Sequence, residues 1–377
     1  MTRRVACTSA LALAAIIVGL ALPVRAADVV IPVLVPLTGF LALEGTSQKN
    51  GALLALDHPP QGVAPRYEVA DTATSPEIAV NALEKALGEK PVAVIASMLG
   101  TQLLAMLPVA AENKVPLLTI SGTAKVTELG NPWVFRFFPG DNVVKVAQAR
   151  YAVEQLGAKH PAIIYQTDAY GQSGLTYLGK ELDLLGAKPV RAEGVDNAVK
   201  DLLPVLSKAK AAGADSLLIH LHVPTTALLV RQAAGSGLAL PIVSGSAMAA
   251  PATAALLEPG EMKGICAESA SAPAAPSSPE GERFLGAYRL TFGSDPDAYA
   301  LGQYDGTMML LHAVAAGAGT PEAVREALSR ETYQGVAMSY RSDGAGNMAH
   351  SAVILCYDGV DRTPTVARRY DDLVALK

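Results

Sequence analysis

The chain has 377 residues, half of them apolar, and carries a net charge of −5 at neutral pH. This length is greater than a single core usually needs, so it predicts two domains. The acidic balance is spread along the chain without a pattern, which argues against nucleic acid as a partner.

The first 26 residues are typical of a secretory signal peptide. Arg3 and Arg4 precede a mostly apolar run over residues 5–22, and small residues lead up to Ala26. We expect cleavage after Ala26 and export to the periplasm, with a retained membrane anchor as the alternative. No cysteine lies at the cleavage point, so lipid attachment is not expected. Removing this segment changes the net charge to −8, and no later apolar run approaches the length of a membrane span.

The remaining chain opens with alternating strand and helix patterns. Residues 28–36 form an apolar strand, a helix follows through Leu56, and residues 67–70 form a second strand. Ser75 is a typical N-cap, with proline at the first helical position after it, and Gly88 ends the helix. The pattern is that of strands joined by helices.

The central stretch, residues 91–124, carries the clearest site signal. Two apolar runs, residues 92–96 and 115–120, flank a helical pattern and predict parallel buried strands. Breaks of small residues, 97–101 and 121–123, follow these strands, and ligands of open α/β sheets bind at such carboxyl ends. Exposed amides, hydroxyls and a helix N-terminus suit a small carboxylate, although the same residues also serve as ordinary helix caps.

A second α/β series follows without a long linker. Its expected strands and helices alternate from Ala162 to Glu268, in the order 162–166, 171–185, 190–195, 202–212, 216–221, 225–234, 242–244 and 264–268. Such alternation implies parallel sheets covered on both faces.

The last part contains an exposed connection over residues 271–279, three helices and an expected hairpin. The hairpin pairs residues 335–340 with 352–357 around a turn at 342–344. Cys266 and Cys356 both lie in expected strands, but their spacing leaves open whether they form a disulfide.

Several polar residues have more than one interpretation. His220 and His222 project from one face of a strand, but no third metal ligand follows, so packing or a hydrogen bond to a ligand is favoured and no metal or cofactor is expected. Arg136 lies in an aromatic run and is interpreted as structural. Asp305 either faces a cleft or caps a neighbouring backbone group.

Catalysis is not expected. The chain has no nucleophile elbow, no cysteine placed for a triad, and no glycine pattern of a nucleotide-binding loop.

The chain resembles the leucine/isoleucine/valine-binding family of periplasmic solute-binding proteins, which serve ABC transporters. The matching pieces occur in order along nearly the whole mature chain: Pro36-Leu37-Thr38-Gly39, Asn50-Gly51-Ala52, Asp71, Pro76-Glu77-Ile78-Ala79, Ser121-Gly122-Thr123, Phe135-Arg136, Asp168-Ala169-Tyr170-Gly171, Asp297-Ala298-Tyr299 and Tyr304-Asp305-Gly306.

This resemblance implies an α/β fold of two doubly wound, Rossmann-like lobes joined by three crossing strands, the type I periplasmic binding protein fold. The signal peptide would be 1–26, the first lobe 27–138 plus 272–334, and the second lobe 139–271 plus 335–377. The lobes would close over a ligand held between them.

The family's ligand contacts fall on specific positions of this chain. The carboxylate-binding loops fall on Gly100 with Thr101 and on Ser121, Gly122 and Thr123. The aromatic residue that covers the ligand falls on Tyr170. Two further aromatic positions fall near His222 and Tyr304.

One position departs from the family pattern. The acidic residue that receives an amino acid's ammonium falls near Ser246, and only Asp168 or Asp305 could substitute for it. A buried ammonium without a carboxylate partner costs several kcal/mol. The sequence therefore favours a small organic or aromatic acid without an ammonium group, delivered by a monomeric receptor to an ABC permease. The alternatives are a hydrophobic or branched-chain amino acid as ligand, or a ligand-sensing subunit of a signalling system.

Overall fold

The computed structural model describes residues 27–376, so the expected signal peptide lies outside the described residues. Within that described part, no helix combines the length and the apolar character needed to cross a membrane.

The first part of the chain builds one parallel sheet. Its elements alternate in the expected way: β1 Ala27–Val30, β2 Val33–Val35, α1 Ala42–Leu56, β3 Val63–Arg66, β4 Val69–Asp71, α2 Pro76–Leu87, β5 Val94–Ala96, α3 Gly100–Asn113, β6 Leu117–Thr119, α4 Lys125–Glu128 and β7 Val134–Arg136. The sheet has the order β4-β2-β5-β6-β7, and β1 pairs with β3 beside it. As the sequence predicts, Ser75 caps α2 by accepting a hydrogen bond from the Ile78 amide.

The middle of the chain builds a second sheet. Its elements are α5 Asp141–Arg150, β8 Pro161–Gln166, α6 Ala169–Leu184, β9 Arg191–Val195, α7 Leu203–Ala211, β10 Ser216–His220, α8 Val223–Gly235, β11 Ile242–Ser244, α9 Pro251–Ala254 and β12 Cys266–Ser269. Helix α5 continues into a π-helical turn at Tyr151–Gln155. No helix at α5 was predicted.

The last part of the chain contributes three helices and a separate two-stranded sheet, and it adds two strands to the second sheet. It comprises α10 Pro279–Phe292, α11 Ala298–Ala315, α12 Pro321–Arg330, β13 Thr332–Gln334, β14 Ser339–Arg341, β15 Ala352–Cys356 and β16 Thr365–Tyr370. Strands β15 and β16 extend the second sheet, whose order is β16-β15-β12-β11-β10-β8-β9. Both additions are antiparallel, and β16 was not predicted.

The parallel strands of the two sheets follow the same order. In each, the second strand in the chain lies outside the first, and the third to fifth strands follow on the other side. This order creates a crevice between the first and third strands, at their carboxyl ends. The predicted architecture of two doubly wound lobes is confirmed.

Helix α11 returns to the first lobe and packs closely against α1. A Cβ added at Gly51 would lie 2.0 Å from the carbonyl oxygen of Ala300, so only glycine permits this approach. The close packing fixes α1, whose first turn borders the crevice described below.

The predicted C-terminal hairpin is wrong. Strand β14 pairs with β13, with Tyr340 opposite Tyr333, while β15 pairs with β12 and β16. Tyr340 is fully buried in the same apolar cluster as Met348 and Ala349, in the first lobe. That burial decides the pairing of β14.

Cys266 and Cys356 lie directly opposite each other on β12 and β15 and form a disulfide. The bond closes a loop with a sequence separation of 90 residues. It ties the strand that leaves the second lobe to the strand that returns to it.

Candidate functional site

A cavity with an empty volume of about 480 Å³ lies where the carboxyl ends of the two sheets face each other. The loops after β5, β6, β8, β10 and β11 all contribute to its wall. Much of the lining is apolar, from Leu41, Met98, Leu99, Ile120, Phe138, Val144, Leu221 and Ala247. Three carboxylates also line it, those of Glu44, Asp141 and Glu268.

The first-lobe wall contains two loop glycines, with buried hydroxyls beside them. Gly100 begins α3, and Gly122 lies in the loop after β6; both line the cavity. A Cβ added at Gly100 would lie 2.1 Å from Thr123 Oγ1, so glycine allows the two loops to meet. Ser121 Oγ and Thr123 Oγ1 are buried without a hydrogen-bond partner among the described residues. Unpaired hydroxyls beside a helix N-terminus form an anion-binding arrangement.

Arg136 supports this loop from behind. Its guanidinium donates to the Thr123 carbonyl oxygen at 2.9 Å and to Asn347 Oδ1 at 3.0 Å. Burial lowers the pKa of Arg136 to about 10, although the nearby Asp141 carboxylate opposes the shift. The side chain is fully buried and lies outside the cavity lining, in agreement with the structural interpretation.

The second-lobe wall begins with Tyr170. Asp168 caps α6 by accepting from the Gly171 amide, which places Tyr170 in the first turn. The ring of Tyr170 stacks on His222, with centroids 5.0 Å apart, and tilts over His220 at 3.8 Å. Both Tyr170 and His222 line the cavity, whereas His220 lies behind the tyrosine. The Tyr170 pKa is raised well above its ordinary value by burial, so the hydroxyl stays neutral.

The two histidines have separate hydrogen bonds. His222 Nε2 lies 2.7 Å from Asp168 Oδ2, and His220 Nε2 lies 3.2 Å from the carbonyl oxygen of Tyr170. Burial lowers the pKa of His220, with Lys145 adding to the shift and Asp141 opposing it. Among the described residues, no group of three or more His, Cys, Asp or Glu side chains could hold a metal ion.

Ser246 lies on the cavity, but it is not alone there. Its amide and hydroxyl donate to Glu268 at 3.0 Å and 2.6 Å, and Lys145 Nζ lies 2.6 Å from the same carboxylate. Both charged side chains of this pair are buried. A carboxylate therefore reaches this position from strand β12, in place of the missing acid in the loop.

The prediction that no acidic side chain faces the ligand position is wrong. Neither residue considered as a substitute lines the cavity: Asp168 is bound to His222, and Asp305 accepts from the Val336 and Ala337 amides. The carboxylates that do line it come from α1, α5 and β12, far from Ser246 in the sequence. No local motif marks them.

Asp141 is the acid nearest to the carboxylate-binding loop. Its amide donates to the Gly122 carbonyl oxygen at 2.7 Å, and a Cβ added at Gly122 would lie 3.5 Å from Asp141 Oδ1. Burial by itself raises the pKa of this carboxyl, but His220, Lys145 and a hydrogen bond from Ser173 outweigh burial and leave the pKa below its ordinary value. Asp141 is therefore ionised, and its Oδ2 is buried without a hydrogen-bond partner among the described residues.

Four predicted site residues are not part of the lining: Ser121 and Thr123, on either side of Gly122, and also Thr101 and Tyr304. Thr101, in the first turn of α3, is half-buried and is not part of the lining. Tyr304 packs against Phe284, with ring centroids 4.9 Å apart, and also lies outside the lining. Tyr299, five residues earlier on α11, lines the cavity instead. Its motif, Asp297-Ala298-Tyr299, was noticed in the sequence, but the choice between two tyrosines on one helix depends on how that helix packs.

Comparisons with known proteins agree with this architecture. A family model described as periplasmic binding protein matches residues 28–358. An amino acid binding protein of Pseudomonas aeruginosa is 28% identical over 338 residues, covering 87% of this chain and 90% of that protein.

Two solved structures cover nearly all of the described chain. A leucine-binding protein of Thermotoga maritima superimposes with a TM-score of 0.82 at 25% identity, covering 91% of this chain and 99% of that one. An ABC transporter solute-binding protein of Rhodopseudomonas palustris in complex with 3,4-dihydroxybenzoic acid gives a TM-score of 0.84 at 20% identity, covering 92% and 98%. Because the family model spans most of the sequence, the chain belongs to the periplasmic binding protein family and has the type I fold of the solute-binding receptors of ABC transporters.

Proposed function

We propose that this receptor binds a small α-amino acid between its lobes and delivers it to an ABC permease. The observation that carries the proposal is the ionised, buried Asp141 beside the loop suited to a carboxylate. The two groups together match the two charges of an amino acid backbone.

The ligand's carboxylate would occupy the first-lobe wall. The N-terminus of α3 at Gly100 provides amides and the positive end of a helix dipole. Ser121 and Thr123 provide two hydroxyls whose oxygens have no other described partner. Leaving such groups unpaired after burial costs about 1–3 kcal/mol each, which a carboxylate would recover.

The ligand's ammonium would lie against Asp141. Lys145, which is buried behind the lining residue Glu268, already pairs with that carboxylate at 2.6 Å. Asp141 accepts a hydrogen bond from Ser173 and lies 3.5 Å from His220 Nε2, but its Oδ2 has no hydrogen-bond partner among the described residues. A buried carboxylate of this kind disfavours a simple anion and favours a ligand that brings its own cation.

This proposal replaces the ammonium-free acid that the sequence favoured. That expectation came from Ser246, whose hydroxyl and amide are taken up by Glu268. The solved relatives include both a leucine-binding protein and a dihydroxybenzoate complex, so their ligands do not decide the class. The charges in the cavity favour the amino acid.

Closure of the lobes is supported by contacts across the cavity. The Ala124 amide of the first lobe donates to Ser173 Oγ of the second at 2.9 Å, and Tyr177 of the second lobe hydrogen-bonds to Glu128 of the first. We place the protein in the periplasm as a monomer, after removal of residues 1–26. The apolar start of the sequence and the extracytoplasmic location of the family support this placement.

A thermal-shift comparison tests the ligand class. Each α-amino acid is paired with the acid that lacks only the amine, such as leucine with 4-methylpentanoate. A bound ligand stabilises the native state by mass action, so the amino acids should raise Tm and their partners should raise it much less. If the amine-free acids raise Tm equally or more, the proposal is wrong.

The variant Asp141→Asn sharpens this test. It should weaken amino acid binding by about 30-fold or more, because a buried charge-paired hydrogen bond is lost. Binding of the amine-free acids should not weaken. Asp305→Asn is the matched control, since Asp305 is equally buried but bonds only to its own lobe, through the Val336 and Ala337 amides and the Tyr340 hydroxyl.

A further inference from the structure

Glu44 is a buried carboxylate that enters the cavity from the first turn of α1. Its exposed fraction is 3%, and it lines the cavity together with Leu41 of the same segment. One of its oxygens, Oε1, accepts a hydrogen bond from the Val223 amide at 2.8 Å. Val223 begins α8 in the second lobe, so this bond crosses from one lobe to the other.

The other oxygen, Glu44 Oε2, is buried without a hydrogen-bond partner among the described residues. Burying an acceptor in this state costs about 1–3 kcal/mol, and more if it is charged. The bond to Val223 keeps the carboxylate directed into the cavity, so the group cannot turn to solvent to recover that energy. A hydrogen-bond donor on the ligand would recover that energy.

The charged groups around Glu44 have other partners, so its free oxygen remains available to a ligand. Glu268 has Lys145, and Asp168 has His222 as its partner. Glu44 itself has the N-terminus of α8 and the nearby His222 ring on the second-lobe side, and Asp297 and Tyr299 on the α11 side. Burial raises the pKa of Glu44, with Asp297 adding to the shift and His222 and the Val223 amide opposing it.

We propose that Glu44 recognises the ligand's side chain by accepting a hydrogen bond from it. The preferred ligand then has an apolar side chain that ends in a hydrogen-bond donor, a hydroxyl or an amine. The apolar part of this side chain follows from the neighbouring side chains of Leu41, Leu99 and Leu221. This inference rests on the proposed function for the α-carboxylate end and adds the identity of the opposite end. Glu44 acts as a specificity-determining residue that also joins the lobes.

A set of four compounds separates the two proposals. Lysine has both an α-amine and a terminal donor, norleucine has only the α-amine, 6-aminohexanoate has only the terminal donor, and hexanoate has neither. The same design is repeated with five-carbon and four-carbon chains and with terminal hydroxyls. Affinity is measured by calorimetry on the mature wild-type protein.

The presence of the terminal donor should tighten binding about tenfold or more at the chain length that fits, because a site with an unpaired acceptor discriminates strongly against an analogue without the donor. The effect of the α-amine, measured separately in the same set, tests the proposed function. If no terminal donor tightens binding at any chain length, this inference is overturned, whether or not the α-amine matters and even if nothing binds.

The variant Glu44→Gln assigns the effect to this residue. Glutamine keeps an acceptor for the Val223 amide but presents an N–H group where the ligand's donor would lie. The preference for the terminal donor should therefore disappear, while the preference for the α-amine remains. Glu181→Gln is the control, because Glu181 is buried on α6, pairs with Arg150 and lies outside the cavity lining. If Glu44→Gln keeps the donor preference, Glu44 is only a contact between lobes and the inference is wrong.

Discussion

The polar groups on the two sides of the cavity differ in whether they have hydrogen-bond or ion-pair partners. In the first lobe, on either side of the lining residue Gly122, lie two neutral hydroxyls, Ser121 Oγ and Thr123 Oγ1, which have no partner among the described residues. In the second lobe, the lining residues Glu268 and His222 have partners behind them, Lys145 and Asp168. The two hydroxyls therefore lack hydrogen-bond partners, whereas Glu268 and His222 have them.

This difference distinguishes residues that stabilise the fold from residues that are expected to bind the ligand. A paired buried ion contributes to the fold and is costly to disrupt, because its partner is left without compensation. An unpaired buried hydroxyl slightly destabilises the empty protein and contributes only when a ligand binds. Asp141 and Glu44 belong with the second group, since each has one carboxylate oxygen without a described partner.

The largest expected effect comes from breaking the paired wall. Lys145→Met leaves Glu268 as a buried charge without its cation, so the free energy of unfolding should fall by about 3–5 kcal/mol. Urea unfolding measures this change. A decrease below about 1 kcal/mol would show that Ser246 alone satisfies Glu268, and the contrast between the walls would be lost.

A buried carboxylate outside the cavity should make stability depend on pH. Burial raises the pKa of Asp305 from its ordinary 3.8 to about 7, despite its three hydrogen bonds. Between about pH 4 and 7 the folded protein keeps this proton while the unfolded chain releases it, so raising the pH favours unfolding. The free energy of unfolding should fall by about 4 kcal/mol across that window and stay constant above it.

Urea unfolding of the wild type and Asp305→Asn at matched pH values checks this dependence. The variant should lack the decline, because asparagine does not titrate. Equal slopes in the two proteins would rule out Asp305 as its source.

Substitution of an unpaired hydroxyl should raise the free energy of unfolding, whereas Lys145→Met should lower it. Thr123→Val removes a buried hydroxyl without changing the shape of the side chain. The empty protein should gain roughly 0.5–1 kcal/mol in free energy of unfolding, while ligand affinity should fall about tenfold. Unfolding and calorimetry on the same preparation measure both quantities. A variant that loses stability would place Thr123 among the structural residues.

The smallest effect is expected at an exposed ion pair. Arg283 and Glu280 are 69% and 58% exposed and lie one turn apart on α10. Arg283→Ala should change the free energy of unfolding by less than about 0.5 kcal/mol, because solvent screens such pairs. A larger loss would mean that burial is not what distinguishes Lys145 from other cations of this protein.

Sequence analysis located the first-lobe wall well and the second-lobe charges poorly. Gly100 and Gly122 follow apolar strands directly, so local pattern placed them at the strand ends, and the structure confirms that position. Asp141 was not identified as a site residue, because helix α5 was not predicted. Glu268 lies in the middle of a strand, where nothing in the local pattern distinguishes a residue facing a cavity from one facing a helix.

Local patterns therefore determined the alternation of strands and helices, the caps such as Ser75 and the loops at the strand ends. These features depend on hydrophobic period and backbone chemistry, which act over a few residues. The tertiary structure alone decided that β14 pairs with β13, that Cys266 meets Cys356, and that carboxylates from α1, α5 and β12 converge on one cavity. Their ionisation and their partners depend on burial and on charges brought together from distant segments, and no short stretch of sequence contains that information.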